Sequence, residues 1–173
     1  MVDIDLWVCE DAKQWIKPRI KLHLNGFEWG SGCSTVWLGQ HCHSLVSVEN
    51  RLDWFNRVKG LLEENNVENV TLHHEPTLEG YVSRIDEHPY GFFDFIFIDG
   101  YKKSRLLCVQ KAWEKLKLGG MLIFDNSEAR TYRKAVRTLD GWSSNKLDFG
   151  GLVQNPWNGN RGYCHTSVWF KDD

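Results

Sequence analysis

No apolar run in this 173-residue sequence approaches the roughly 20 residues a membrane span requires, so no membrane segment is expected. No C-x-x-C pair occurs. The five cysteines, Cys9, Cys33, Cys42, Cys108 and Cys164, are scattered and odd in number. That argues against a disulfide framework and fits free thiols in a reducing cytoplasm, the expected location. The opening Met-Val-Asp-Ile-Asp-Leu-Trp has no basic stretch ahead of an apolar core, so no secretory leader is expected. Internal repeats, low-complexity tracts and Pro/Ser-rich linkers are missing too, which favours a single domain over residues 1–173. A strong charge of either sign is also lacking. The formal net charge of -2 gives no electrostatic footprint for nucleic acid, and none is expected as a partner.

What is present is an ordinary core-forming composition, 42% hydrophobic and 25% charged, enough to bury a core of useful size. Nine tryptophans are many for this length, and most are expected in the core or in the walls of a pocket.

Short apolar strands alternate with helix-like stretches, the pattern of a βαβ sheet. Strands are expected near Gly26 to Trp29, Leu45 to Glu49, Val70 to His74, Phe93 to Ile98 and Met121 to Phe124, with two late ones near Lys146 to Val153 and Tyr163 to Phe170. Phe93-Asp94-Phe95-Ile96-Phe97-Ile98 is nearly unbroken in its apolar character, as suits a strand covered on both faces. Helices are expected from about Ser34 to Gln40, from Arg51 to Asn65, from a Ser104 cap to about Lys115, and near Tyr132 to Leu139. Leu118-Gly119-Gly120 reads as a turn, and Tyr81 to His88 as a polar connection. Only about 25 residues precede the first strand, and no covering helix is read among them.

Ligands in open α/β sheets bind beyond the carboxyl ends of the strands. Gly30 to Gly32, Glu49, Asp99, Asp125 and Asn126 all fall at such ends, so they are expected to converge on one rim. Gly30 and Gly32 permit a tight turn and close backbone approach. The helix that follows offers free N–H groups for a carboxylate. Glu49, ending the second strand, is placed to accept both hydroxyls of a ribose.

Phe27-Glu28-Trp29-Gly30-Ser31-Gly32-Cys33-Ser34-Thr35, followed by Leu45-Val46-Ser47-Val48-Glu49-Asn50, resembles the opening of a class I S-adenosylmethionine-dependent methyltransferase. The resemblance runs from about Gly26 to Phe170. It implies a Rossmann-like, mostly parallel seven-stranded sheet with helices on both faces and an antiparallel last strand. It further implies S-adenosylmethionine as cofactor, held by Glu28, Trp29, Gly30, Ser31, Gly32, Ser34, Thr35, Glu49, Asn50, Glu75 and Asp99. Glu28 would anchor the cofactor's amino group directly or through the loop, and Glu75 would reach the adenine.

A second constellation, Asp99-Gly100-Tyr101-Lys102 with Asp125-Asn126, is similar to the cation-dependent catechol and caffeoyl-coenzyme A O-methyltransferases. That resemblance implies Asp99, Asp125 and Asn126 as ligands of Mg²⁺, Lys102 as general base beside Asp99, and a small-molecule acceptor. Two other readings stay open. One is a non-catalytic domain that holds the cofactor or a partner protein. The other is an NAD-dependent oxidoreductase, which the two-glycine loop serves poorly because Thr35 stands where the third small residue of G-x-G-x-x-G belongs. A homodimer that closes the pocket is a further expectation.

Overall fold

The computed structural model describes residues 2–172. Seven strands are present: β1 Asn25–Trp29, β2 Ser44–Glu49, β3 Val70–His74, β4 Phe93–Ile98, β5 Leu116–Asp125, β6 Lys146–Gln154 and β7 Arg161–Phe170. They form one sheet in the order β3-β2-β1-β4-β5-β7-β6. All pairs from β3 to β5 are parallel, and β7 runs antiparallel between β5 and β6. The order reverses between β1 and β4, so the ends of β1, β2, β4 and β5 open onto a common crevice.

The helices are α1 Glu10–Ile16, α2 Cys33–His41, α3 Leu52–Glu64, α4 Leu78–Ser83, α5 Arg105–Lys115 and α6 Arg133–Trp142, with single 3₁₀ turns at Arg84–Glu87 and Arg130–Tyr132. Alternate side chains of the parallel strands feed two separate cores. Phe93, Ile96 and Ile98 of β4 pack with Tyr81, Cys108, Ala112 and Leu139 from α4, α5 and α6. Phe95 and Phe97 pack on the other face with Ala12, Ile16, Trp37 and Leu38 from α1 and α2. Val58 and Leu62 of α3 close a smaller cluster over Val36. No helix among the described residues is long and apolar enough to cross a membrane.

Four local expectations are corrected. A short helix, α1, does precede the first strand; its buried Ala12 and Ile16 lie one turn apart, a signal too brief to read as periodic. The stretch from Tyr81 to His88 is not a polar connection. It continues α4, where Thr77 Oγ1 accepts the Gly80 N–H at 3.1 Å and caps the start, and Tyr81, Val82 and Ile85 are buried. Leu118-Gly119-Gly120 is an irregularity inside β5, with Gly119 at φ +74 and the register against β4 shifting between Phe93 and Phe95. Ser104 does not cap α5 with its side chain; its hydroxyl donates to the Tyr101 carbonyl at 2.7 Å.

Candidate active site

A cavity of about 670 Å³ opens at the carboxyl ends of β1, β2, β4 and β5, within the ~300–1,000 Å³ usual for small-ligand sites. Of the residues singled out in the sequence, Gly30, Ser31, Gly32, Ser34, Glu49, Asn50, Asp99, Asp125 and Asn126 line it. Glu28, Trp29 and Thr35 lie outside the lining and are fully buried. Glu75 and Lys102 are not brought to the cavity.

The loop after β1 is built by close backbone approach. Gly30 sits at φ +99, and a Cβ there would lie 2.4 Å from the Gly100 backbone. Asp99 and Gly100 N–H groups both donate to the Trp29 carbonyl, at 3.0 and 2.8 Å, which ties the end of β4 to this loop. Gly32 is different. Its backbone is extended, at φ -173, and a Cβ there would meet nothing nearer than Ser34 Oγ at 3.9 Å. Protein packing places no demand on glycine at this position; the space it leaves is the cavity's.

Glu28 organises the loop from behind. Its carboxylate accepts hydroxyl hydrogen bonds from Ser34 at 2.7 Å, Thr35 at 2.5 Å and Ser47 at 2.6 Å. Thr35 Oγ1 in turn accepts the Gly32 N–H at 2.8 Å. Burial pushes the Glu28 carboxyl up to about 7, with the hydroxyls from Ser47, Thr35 and Ser34 holding it back from rising further. Glu28 therefore reaches the cavity only through the loop that it holds. Trp54 of α3 donates its indole N–H to the Ser31 carbonyl at 2.5 Å and braces the same turn from outside.

Glu49 is buried at the cavity edge, where its carboxylate accepts the Arg51 N–H at 2.8 Å. Burial raises its pKa against the backbone donors of Arg51, Asn50 and Ser31. Glu75 is bound instead to Arg84 of the following 3₁₀ turn. Lys102 is exposed and lies in the turn leading into α5.

The sequence reading missed Arg105, the first residue of α5. Its side chain is 4% exposed. It donates to Asp99 Oδ1 at 2.9 Å, to the Gly100 carbonyl at 3.3 Å, and to the Asp99 and Asp125 carbonyls. The guanidinium lies beside the rings of Tyr132 and Phe124, 4.4 and 5.3 Å from their centres. One signal was available: a cation at a helix N-terminus opposes the macrodipole, so it needs a local anion. Tyr101, from the same stretch as Asp99, also lines the cavity, with Trp7, Val153 and Cys164 brought from three other segments that no local pattern connects.

Residues 27–127, more than half of the sequence, match a family model described as "Methyltransferase domain". The chain belongs to that methyltransferase family. No curated protein sequence matches it. Among solved structures, a Klebsiella pneumoniae protein assigned as an O-methyltransferase aligns at TM-score 0.74 and 19% identity, over 96% of this chain and 82% of that one. The O-methyltransferase TomG of Streptomyces achromogenes, in complex with SAM, aligns at TM-score 0.71 and 17% identity, over 91% of this chain and 77% of that one. The tRNA methyltransferase TrmI of Aquifex aeolicus aligns at TM-score 0.70 and 14% identity, over 91% of this chain and 66% of that one. At these identities the likeness is one of fold, and the acceptors of the relatives differ in kind.

The acidic floor of this methyltransferase domain is Asp99 and Asp125. Burial raises both carboxyls above their ordinary range; Asp125 rises well above it, with the nearby Asp99 adding to the effect and the Thr166 hydroxyl and Arg105 opposing it. These two residues with Asn126 do not suit a divalent ion. Asp99 is already paired with a buried guanidinium. An ion on Asp99 would stand beside that fixed positive charge and compete with it for the same carboxylate.

Proposed function

We propose that this methyltransferase domain transfers the methyl group of S-adenosylmethionine to an oxygen of a small-molecule acceptor. The observation that carries the reading is Gly32, a glycine that neither packing nor backbone strain requires, facing a cavity flanked by Glu49. The open space before Gly32 at the start of α2, and a carboxylate across from it, suit the amino-acid and ribose ends of that cofactor. The near-neutral net charge and the absence of a sequence-level basic footprint favour a small acceptor over RNA.

The cofactor supplies a methyl group on a positively charged sulfur, open to in-line attack by an oxygen lone pair. The protein's own residues bind and orient. The turn at Gly32 and the start of α2 would hold the cofactor's carboxylate, Glu49 would hold the ribose hydroxyls, and Asp99 would lie toward the methionyl end. Asp125 lines the cavity and is better placed to accept a hydroxyl proton than the exposed Lys102, which lies outside the lining. Trp7, Tyr101 and Val153 wall the acceptor end and keep water from the reacting groups.

The test is calorimetric titration of S-adenosylmethionine into the wild type and Glu49→Ala, with NAD as a parallel ligand. The expected result is micromolar binding to the wild type, weakened about 10- to 100-fold in the variant by loss of charged hydrogen bonds worth ~1.5–3 kcal/mol. Binding of NAD alone, or of neither ligand, overturns the proposal. An acceptor screen by S-adenosylhomocysteine release then separates an enzyme from a cofactor-holding domain.

A further inference from the structure

We infer that Arg105 is the resident cation of the acceptor site, and that methyl transfer here proceeds without a divalent ion. The inference rests on the proposed methyltransferase reading for its function and on the side-chain geometry alone for its charge arrangement. A metal between two strand-end aspartates performs two tasks: it neutralises their charge and fixes their position. Arg105 performs the first for Asp99, whose carboxylate it pairs with, and the second for both strand ends, through their carbonyls. Its guanidinium pairs with the Asp99 carboxylate at 2.9 Å. Its remaining contacts are carbonyls at the ends of β4 and β5, those of Asp99, Gly100 and Asp125, so one rigid fork holds the two strand ends in register. Tyr132 and Phe124 pack against the fork, and the side chain is almost wholly buried. Asp125 is held separately through the Thr166 hydroxyl.

Arg105 is thus a positioning residue. Its placement also bears on acceptor class. A metal selects acceptors with two adjacent oxygens because it chelates them. A site organised by a guanidinium fork places no such demand, and an acceptor with a single hydroxyl suffices.

The experiment is Mn²⁺ titration followed by electron paramagnetic resonance, on the wild type, Arg105→Met and Arg105→Lys, each alone and with S-adenosylhomocysteine. Free Mn²⁺ gives a signal that protein binding removes. The expected result is that the wild type and Arg105→Lys leave the signal intact, whereas Arg105→Met takes up Mn²⁺ because the carboxylates have lost their counter-charge. A purely structural arginine would not produce that gain. Stoichiometric uptake by the wild type, alone or with S-adenosylhomocysteine, overturns the inference. A folded Arg105→Met that takes up no Mn²⁺ overturns the counter-charge role. If Arg105→Met does not fold, the wild-type titration decides. Failure of S-adenosylmethionine to bind in calorimetry would remove the methyltransferase reading without altering the Mn²⁺ result, so the two failures are distinguishable.

Discussion

Glu28 is the residue whose legibility and role diverge most. The sequence marks it as an acidic residue before a glycine turn, yet the structure places it behind the cavity, satisfied by three hydroxyls. No spacing rule separates a carboxylate that touches a ligand from one that holds the loop touching it. Its chemistry makes a prediction. An acid with an ordinary pKa of 4.5, raised to about 7 on folding, binds more protons in the folded state between those values. Stability therefore falls as pH rises from about 4.5 to 7 and stays lowered above that, by on the order of 3 kcal/mol. Glu28→Gln removes this contribution. Urea midpoints measured from pH 5 to pH 8 are expected to fall less steeply for the variant, with Glu49, Asp99 and Asp125 supplying the remaining slope. The two glycines separate in the same way. Gly32→Ala is expected to stay within about 1 kcal/mol of wild-type stability, since its Cβ meets open space and a poorer N-cap offsets the entropy gain. Its cofactor affinity is expected to fall roughly tenfold or more, about 1.4 kcal/mol. Equal cofactor affinity in calorimetry would show that the ligand does not approach Gly32.

Elements rich in aromatic and β-branched residues are legible in the sequence, and the short helices are not. β4 declared itself by an apolar run that only a doubly covered strand tolerates. α4 has six residues with Gly80 in the middle, too few for a helical period to show. The β6–β7 hairpin was legible as two strands, but its reach was not. Its connecting loop carries Trp157 across to α3, where the indole meets Trp54 edge-on at 5.0 Å and lies 3.5 Å beneath the Arg57 guanidinium. Trp54 is the side chain that braces the Ser31 carbonyl. Trp157→Ala should cost about 1–3 kcal/mol of stability from the lost aromatic and cation–π contacts. The hairpin itself should remain paired, because its ladder runs from Lys146↔Trp169 to Gln154↔Arg161. Calorimetry should show weaker cofactor binding as Trp54 loosens. An unchanged affinity would mean that the hairpin loop and the turn after β1 are energetically separate.

At the scale of the molecule, the sheet order converts remote sequence positions into one rim. Strand ends are legible in the sequence, which places Gly30, Glu49, Asp99 and Asp125 on one rim. Trp7, Arg105, Val153 and Cys164 reach the same cavity through packing between elements, a relation that periodicity does not encode. Because the cavity joins several strands, ligand binding should be felt as global stability. S-adenosylmethionine at about 100 times its Kd would stabilise the fold by ~2.7 kcal/mol. For a chain of this size that corresponds to a Tm rise of roughly 5–10 °C. Scanning calorimetry with S-adenosylmethionine and S-adenosylhomocysteine checks this; no shift at saturating ligand would contradict a site spread across the sheet.

Two indoles, Trp7 and Trp54, line the cavity, whereas Trp29 and Trp169 are sealed in the core. The molecule consequently carries its own optical gauge. Light emitted by the sealed indoles forms a steady background, while the two at the rim change colour and yield when water beside them is displaced. Any compound entering the cavity announces itself without a label, and the acceptor can be sought by fluorescence from mixtures before its chemistry is known.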